Sequence, residues 1–286
     1  MLASTQMQTV NQYVPKVPLA AGMGSILLPQ GDGGRRLAGP AYWGMWRVPR
    51  RLGDLALRCA EPRGVPWQGV PQTDGERRQA AQQVQALALQ LCTSHGVLIS
   101  LKGTLPTQPV VVVANHVSYV DTLVLPSLFP TTCVAKKEVA SWPGIGSLAR
   151  RLGTVFVERG NPMSGAAALR QSARALAAGV NVVAFPEGTT TPGDRLLPFH
   201  RGIFGIAMIN NVPVLPVTLV YDDPGVAWVG EDPFLSHYLT RVASARKTGI
   251  TVHVGELMNP RMFSSARTMA KAAQQIIAKT LRQSLP

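Results

Sequence analysis

Apolar and polar positions divide the chain into three regimes. Up to about residue 40 no period holds, and Gly, Pro, Gln, Ser and Thr recur without pattern. Such a segment has little apolar surface to offset the entropy of ordering it, so residues 1–40 are expected to be a flexible leader. Residues 41–75 form a second stretch, a candidate membrane-interface segment followed by a linker. It opens with "AYWGMWRVPRRLGDLALRC", where Tyr42, Trp43 and Trp46 stand beside Arg47, Arg50 and Arg51, and it ends in a Pro/Gly-rich run over 61–75. Aromatics among arginines suit a membrane interface, and they suit a short helix packed on a domain equally well. Pro49 and Gly53 are expected to interrupt any long amphipathic helix here. From 76 to 286 the pattern becomes regular, and this part is expected to form one domain.

Within that domain Val84, Leu87 and Leu91 repeat at helical spacing. Short β-rich runs follow at 97–102, 109–114, 131–136, 154–158, 180–185, 214–220 and 250–255. Helical stretches separate most of them. One covers 162–178, with Asn161 as N-cap, Pro162 as first residue and Gly179 as terminator. Another covers about 200–210, and the last runs from about 264 to 284. "VVVV" at 110–113 and "VLPVTLV" at 214–220 are unbroken apolar runs, as strands covered on both faces should be. The predicted fold is α/β, a central mostly parallel or mixed sheet of about seven strands flanked by helices. The uncharged stretch 202–221 has the length of a membrane span, about 20 residues. Asn210, Asn211, Pro213 and Pro216 divide it, so it reads as a helix followed by a buried strand. No secretory signal pattern is found at the N-terminus.

Charge narrows the choice of partners. Lys plus Arg number 28 against 15 for Asp plus Glu, a formal net charge of +13. Such a surface attracts polyanions, whether nucleic acid, anionic lipid or phosphorylated substrates. There is no zinc-finger spacing and no aromatic-basic RNA signature, which weighs against nucleic acid. Cys59, Cys92 and Cys133 are scattered and odd in number. They suggest neither a disulfide framework nor a metal site, and they fit a reducing cytoplasm.

The candidate chemistry lies where predicted strands end. Asn115, His116 and Asp121 follow "VVVVA", and a helix is expected to begin near Tyr119. Open α/β sheets collect their sites at the carboxyl ends of strands. A histidine there can serve as a general base near neutral pH, and an acid on its other ring nitrogen fixes the tautomer. A core histidine paired with an acid has the same pattern. A second run, "GTVFVERG" at 153–160, presents Glu158 and Arg159 at a strand end, where an arginine can clamp a phosphate or carboxylate. The plainer reading is a surface ion pair. A third, "VVAFPEGTTTPGD" at 182–194, places Glu187, Gly188 and Thr189 after a buried strand. The glycine allows close backbone approach and the hydroxyls add donors, though a Gly/Pro turn with threonine caps would look alike. A fourth, "VPVLPV" at 212–217, is either plain core or an apolar wall.

Together the four blocks resemble the glycerolphosphate acyltransferase superfamily, and especially the bacterial 1-acylglycerol-3-phosphate acyltransferases. The family motifs N-H-x4-D, G-x-x-F-x-x-R, F-P-E-G-T and V-P-x-x-P are matched in order by "NHVSYVD", "GTVFVER", "FPEGT" and "VPVLPV". The likeness covers about residues 80–284 and implies a glycerolphosphate acyltransferase-like fold. It implies that His116 takes the proton of an acceptor hydroxyl and that Asp121 orients it. It places Asn115, Arg159, Glu187, Gly188 and Thr189 at the acceptor site and 212–217 on the acyl-donor side. It implies no cofactor and no metal, with acyl-CoA or acyl carrier protein bringing the acyl thioester. The implied acceptor is a lysolipid, foremost 1-acyl-sn-glycerol-3-phosphate giving phosphatidic acid. Two departures bear on that choice. Thr190 stands where many phosphatidate-forming members have an arginine, and His200 where a lysine is frequent. Lyso-ornithine lipid and lysophosphatidylcholine are therefore alternative acceptors.

The expected setting is the cytoplasmic face of the inner membrane, peripheral or monotopic, on an anionic surface and without nucleic acid. Two other classes stay open at this level. A hydrolase would use the same pair on water, and a membrane-binding protein would use neither residue. His95, His237 and His253 are expected to be structural or surface residues.

Overall fold

The computed structural model describes residues 40–60, 71–142, 145–158, 160–230 and 232–284. Residues 1–39 of the expected leader and 61–70 of the expected linker lie outside the described residues, as do the side chains of Tyr42 and Trp43. Two helices come first, α1 (Pro40–Ala60) and α2 (Asp74–His95). There follow β1 (Val97–Lys102), β2 (Val111–Ala114), α3 (Asp121–Leu128), β3 (Thr131–Lys136), α4 (Ile145–Arg151) and β4 (Val155–Val157). The chain continues with α5 (Pro162–Ala177), β5 (Asn181–Ala184), α6 (Gly202–Ile209), β6 (Val214–Tyr221), α7 (Phe234–His237), β7 (Thr248–Val254) and α8 (Ala266–Ser284). All seven expected strands are present, with ends within about two residues of those read from sequence.

The strands form one sheet of order β1-β7-β6-β2-β5-β3-β4. Every neighbouring pair is parallel except β6 and β7. The carboxyl ends of β2, β3, β4, β5 and β6 therefore share one edge, while β1 and β7 end at the other. The valine run explains why β2 is central. Val110, Val111, Val112 and Val113 are all 0% exposed. Alternation sends Val110, Val112 and Ala114 to the face packed with Val124 and Leu125 of α3 and Cys92 of α2. It sends Val111 and Val113 to the opposite face, against Leu176 of α5, Phe204 of α6, and Met269 and Ile277 of α8. Neither face of β2 meets water, so no polar position interrupts it.

Local signals set the helix ends. At α2 the Thr73 hydroxyl accepts from the Glu76 N–H at 3.2 Å while the Glu76 carboxylate accepts from the Thr73 N–H at 3.0 Å. At α5 the Asn161 side chain accepts from the N–H groups of Met163 and Ser164, and Gly179 beyond it has φ +80°.

Proline behaves differently from expectation in α1. Pro49 and Gly53 lie inside a continuous helix of 21 residues and do not end it. Tertiary contacts override the local penalty. Arg51, 6% exposed, donates to the carbonyls of Ser94, Val242, Ala243 and Ala245 at 2.6–3.2 Å. Asp54 accepts from the Ser94 hydroxyl at 2.8 Å. These bonds clasp α1 to the end of α2 and to the π-helical turn Tyr238–Ala243 that continues α7. Pro216 is tolerated in the interior of β6 because the β7 ladder starts only at Val217. Its missing N–H faces the side where its carbonyl accepts from Gly255.

Candidate active site

Three adjacent strands, β5, β2 and β6, deliver the candidate groups to one edge of the sheet. Beyond β2 the chain turns sharply and α3 begins at Asp121. That turn brings residues five apart together. The His116 Nδ1–H donates to Asp121 Oδ2 at 2.8 Å. The same oxygen accepts the main-chain N–H groups of Val117 at 2.7 Å and Ser118 at 2.9 Å. Asp121 Oδ1 accepts from the Tyr221 hydroxyl at 2.6 Å. The Asp121 side chain is 0% exposed, whereas that of His116 is 18% exposed. With Nδ1 bonded to the carboxylate, the neutral imidazole carries its lone pair on Nε2. Among the described residues Nε2 has no hydrogen-bond partner. The ring is held from one side by Phe185, stacked at 4.1 Å and 15°.

The β5 loop fixes the main chain of this turn. Glu187 Oε1 accepts the His116 N–H at 2.9 Å and Oε2 accepts the Leu197 N–H at 2.8 Å. Burial pushes the Glu187 carboxyl above the ordinary carboxylate range, against the pull of those two N–H groups. Thr191 returns the contact, its N–H donating to the His116 carbonyl at 2.8 Å. Gly188 has φ +77° and closes a tight turn through its N–H to the Phe185 carbonyl at 3.0 Å. Thr189 is half-buried beside it.

The expected site residues thus divide. His116, Glu187, Gly188 and Thr189 converge on one place. Asn115 is wholly buried, and its amide bridges β2 to β6 by exchanging two hydrogen bonds with the Leu219 main chain, at 2.9 and 2.8 Å. Its effect on any ligand runs through the placement of His116. Glu187, 4% exposed, likewise acts through the backbone. Arg159 lies outside the described residues. Its neighbour Glu158 follows the end of β4, three strands from β2 in the sheet order and so roughly 14 Å along the edge. Glu158 pairs with Lys137 at 2.8 Å. In the run 212–217, Val212 and Pro213 are half-buried and the rest is buried. Val214, Leu215 and Val217 are at most 1% exposed, inside the sheet.

Sequence reading missed Tyr221, Phe185 and Trp228, whereas His237, expected to be structural or at the surface, is buried and structural. Trp228 donates its main-chain N–H to the Val117 carbonyl at 2.9 Å and accepts the Thr190 hydroxyl on its own carbonyl. His237 bridges the Ala227 carbonyl at 3.0 Å and the Tyr119 hydroxyl at 3.2 Å. These bonds bind the segment after β6 to both motif loops. For Phe185 a signal was present, since it opens the "FPEGT" run. For the others the partners are separated by tens of residues, and no local period links them.

Two thiols have no part in this edge. Burial pushes Cys92 and Cys133 up to about 12, so both stay protonated at neutral pH. Among the described residues no group of His, Cys, Asp and Glu could hold a metal ion.

A seven-stranded mixed sheet with a histidine–aspartate pair at its carboxyl edge places the chain in the α/β class. Comparison with known proteins gives the family. The family model described as Acyltransferase matches residues 97–220. A lyso-ornithine lipid O-acyltransferase of Pseudomonas aeruginosa is 35% identical over 198 residues, 67% of this chain and 75% of that protein. A 1-acyl-sn-glycerol-3-phosphate acyltransferase of Neisseria gonorrhoeae is 36% identical over 151 residues, 50% of this chain and 58% of that protein. The crystal structure of the 1-acyl-sn-glycerophosphate acyltransferase PlsC from Thermotoga maritima shares the fold, with TM-score 0.57 at 21% identity over 85% of this chain and 96% of that one. The chain belongs to the lysophospholipid acyltransferase family, and it is an acyltransferase.

Proposed function

We propose that the enzyme transfers a fatty acyl group from an acyl thioester to the hydroxyl of a lysolipid, with His116 as general base. The carrying observation is the His116–Asp121 pair with Nε2 free at the mouth of the sheet edge. Nε2 takes the hydroxyl proton as the acceptor oxygen attacks the thioester carbonyl. The C–O bond forms, the C–S bond breaks, and the imidazolium returns its proton to the departing thiolate. Asp121 keeps the tautomer and stabilises the charge that His116 gains. Neither a cofactor nor an acyl-enzyme intermediate is needed. The high thiol values of Cys92 and Cys133 favour direct transfer over an acyl-cysteine.

Of the acceptors left open by the sequence, lyso-ornithine lipid is favoured over 1-acyl-sn-glycerol-3-phosphate. The family's frequent arginine is replaced by Thr190, and its hydroxyl is already bonded to the Trp228 carbonyl. The similarity to the Pseudomonas lyso-ornithine lipid enzyme also extends further along both chains. A net charge of +13 suits acyl-CoA or acyl carrier protein as donor and an anionic leaflet as platform. No described helix is long and apolar enough to cross a membrane. The exposed Trp46 and Leu57 of α1 favour a peripheral or monotopic seat on the cytoplasmic face of the inner membrane.

The test is one assay on vesicles with labelled acyl-CoA and acyl carrier protein, and with lyso-ornithine lipid, 1-acyl-sn-glycerol-3-phosphate and lysophosphatidylcholine as acceptors. Labelled ornithine lipid is the expected product. Phosphatidic acid instead would reverse the acceptor assignment, and label in free fatty acid alone would favour the hydrolase. In His116→Ala, turnover should fall by about 10²–10⁴ with the thermal transition unchanged. Wild-type turnover in that variant would remove His116 from the mechanism.

A further inference from the structure

We propose that Tyr221 is a positioning residue of the acyl-transfer reaction, its hydroxyl fixing the plane and charge distribution of the Asp121 carboxylate that orients His116. The inference rests on the general-base reading of His116.

The geometry assigns the two carboxylate oxygens different tasks. Oδ2 faces His116 Nδ1 and two main-chain N–H groups of the turn, whereas among the described residues Oδ1 meets the Tyr221 hydroxyl alone. Three donors on one oxygen hold Oδ2 and leave Oδ1 to be satisfied from elsewhere. The fourth donor supplies that bond and completes the lock on the carboxylate. It comes from outside the turn, at the last residue of β6 and 100 positions away in sequence. Asn115 locks the same two strands together by two bonds to Leu219. The phenol is thus held on a rigid element whose register with the His116 turn is fixed. Its ring packs on the apolar core, a task a phenylalanine performs as well.

The hydroxyl also sets how strongly Asp121 draws on the imidazole. A donor on Oδ1 takes up part of the carboxylate charge. The remaining pull on the Nδ1 proton is weaker, and the imidazolium is stabilised less. Burial and the Asp121 charge raise Tyr221 well above its ordinary phenol value, so it remains a donor throughout the working pH range. The other ionisable groups facing this centre are His116 itself, Glu187 from the β5 loop, Tyr119 from the turn and Cys92 from α2. Cys92 stays protonated, and burial also raises Tyr119. Glu187 is coupled electrostatically to both His116 and Asp121.

The sign of the effect follows. Tyr221→Phe removes the donor, leaves Oδ1 unsatisfied and makes Asp121 a stronger acceptor. The acidic limb of kcat/KM, set by the loss of the His116 proton, should move to higher pH. The plateau kcat should nevertheless fall on the order of tenfold, because losing the lock on Asp121 outweighs the stronger pull on the imidazole. KM for the acceptor should stay within about twofold, because Tyr221 reaches no substrate. Replacing Tyr221 by 3-fluorotyrosine strengthens the donor without changing its shape, and should move the same limb to lower pH. In an Asp121→Asn background, Tyr221→Phe should add almost nothing.

A second readout needs no lipid. The proton NMR signal of His116 Nδ1–H is expected far downfield in the native enzyme, and it should shift or broaden in Tyr221→Phe and vanish in Asp121→Asn. If no acceptor is ever turned over, the functional reading fails while the NMR arm still judges the positioning role. An unmoved signal and an unmoved acidic limb in a folded Tyr221→Phe, or full additivity with Asp121→Asn, would overturn the proposal. So would a 3-fluorotyrosine enzyme with an unshifted limb, and this arm holds even where the phenylalanine variant does not fold.

Discussion

Glu187 brings a carboxyl into the interior and ties two chain segments together there, the His116 turn and the irregular segment around Leu197. Its raised value means that the native state holds this proton more tightly than the unfolded chain does. The sign for stability follows from that direction. The contribution is complete below the ordinary carboxyl value, about 4.3, and is lost as pH rises through the higher native value. Glu187→Gln removes the titration. The stability of wild type minus that of the variant, from urea unfolding at pH 4 to 8, should therefore decline as pH rises. A difference that grew with pH would mean that the folded protein stabilises Glu187 as an anion. The motif "NHVSYVD" was legible in sequence because a five-residue separation across one turn is a local relation. Tyr221 was not, because its contact with Asp121 depends on which strand lies beside β2. The same motifs could not tell a residue that touches substrate from one that holds the backbone. Asn115 and Glu187 differ from His116 in burial, and burial is a property of the assembled sheet.

Helix α1 tests how far element-level rules reach. Proline in a helix interior costs about 3 kcal/mol by removing a hydrogen bond and crowding the preceding turn. The helix nevertheless runs through Pro49, because Arg51 two residues on is secured by four main-chain carbonyls. In Arg51→Met these carbonyls lose their common donor, and the cost should be about 2–4 kcal/mol in urea unfolding. Amide exchange should accelerate over 40–60 while β2 and β6 keep their protection. Retained protection of α1 in that variant would show that apolar packing, not the arginine, holds the helix. The strands were legible for the opposite reason. A strand covered on both faces must be apolar throughout, so "VVVV" carries its own assignment, whereas α1 depends on acceptors at Ser94 and Val242–Ala245 that no local pattern announces.

At the scale of the whole molecule, the two attractions in the proposed membrane seat can be separated by salt. One is the net charge of +13, which draws the protein to anionic lipid over a range of about 8 Å at physiological ionic strength. The other is apolar and local. Trp46 and Leu57 on α1 are 72% and 60% exposed, although α1 itself is fastened to the catalytic domain through Arg51. Sedimentation with vesicles should therefore show two components. Raising the salt from 0.05 to 0.5 M (our choice of about tenfold, to shorten the screening length about threefold) should weaken binding to anionic vesicles and leave a residual shared with zwitterionic ones. Trp46→Ala with Leu57→Ala should remove the residual and leave the salt-sensitive part. Loss of all binding with salt alone would make the seat purely electrostatic and α1 only a structural strut. The proposed arrangement has a consequence for turnover: the double variant should lose activity on acceptors embedded in vesicles while retaining it on short-chain acceptors free in solution. His116 and its partners are untouched by those substitutions, so such a split would locate the defect in access to the lipid and not in proton transfer.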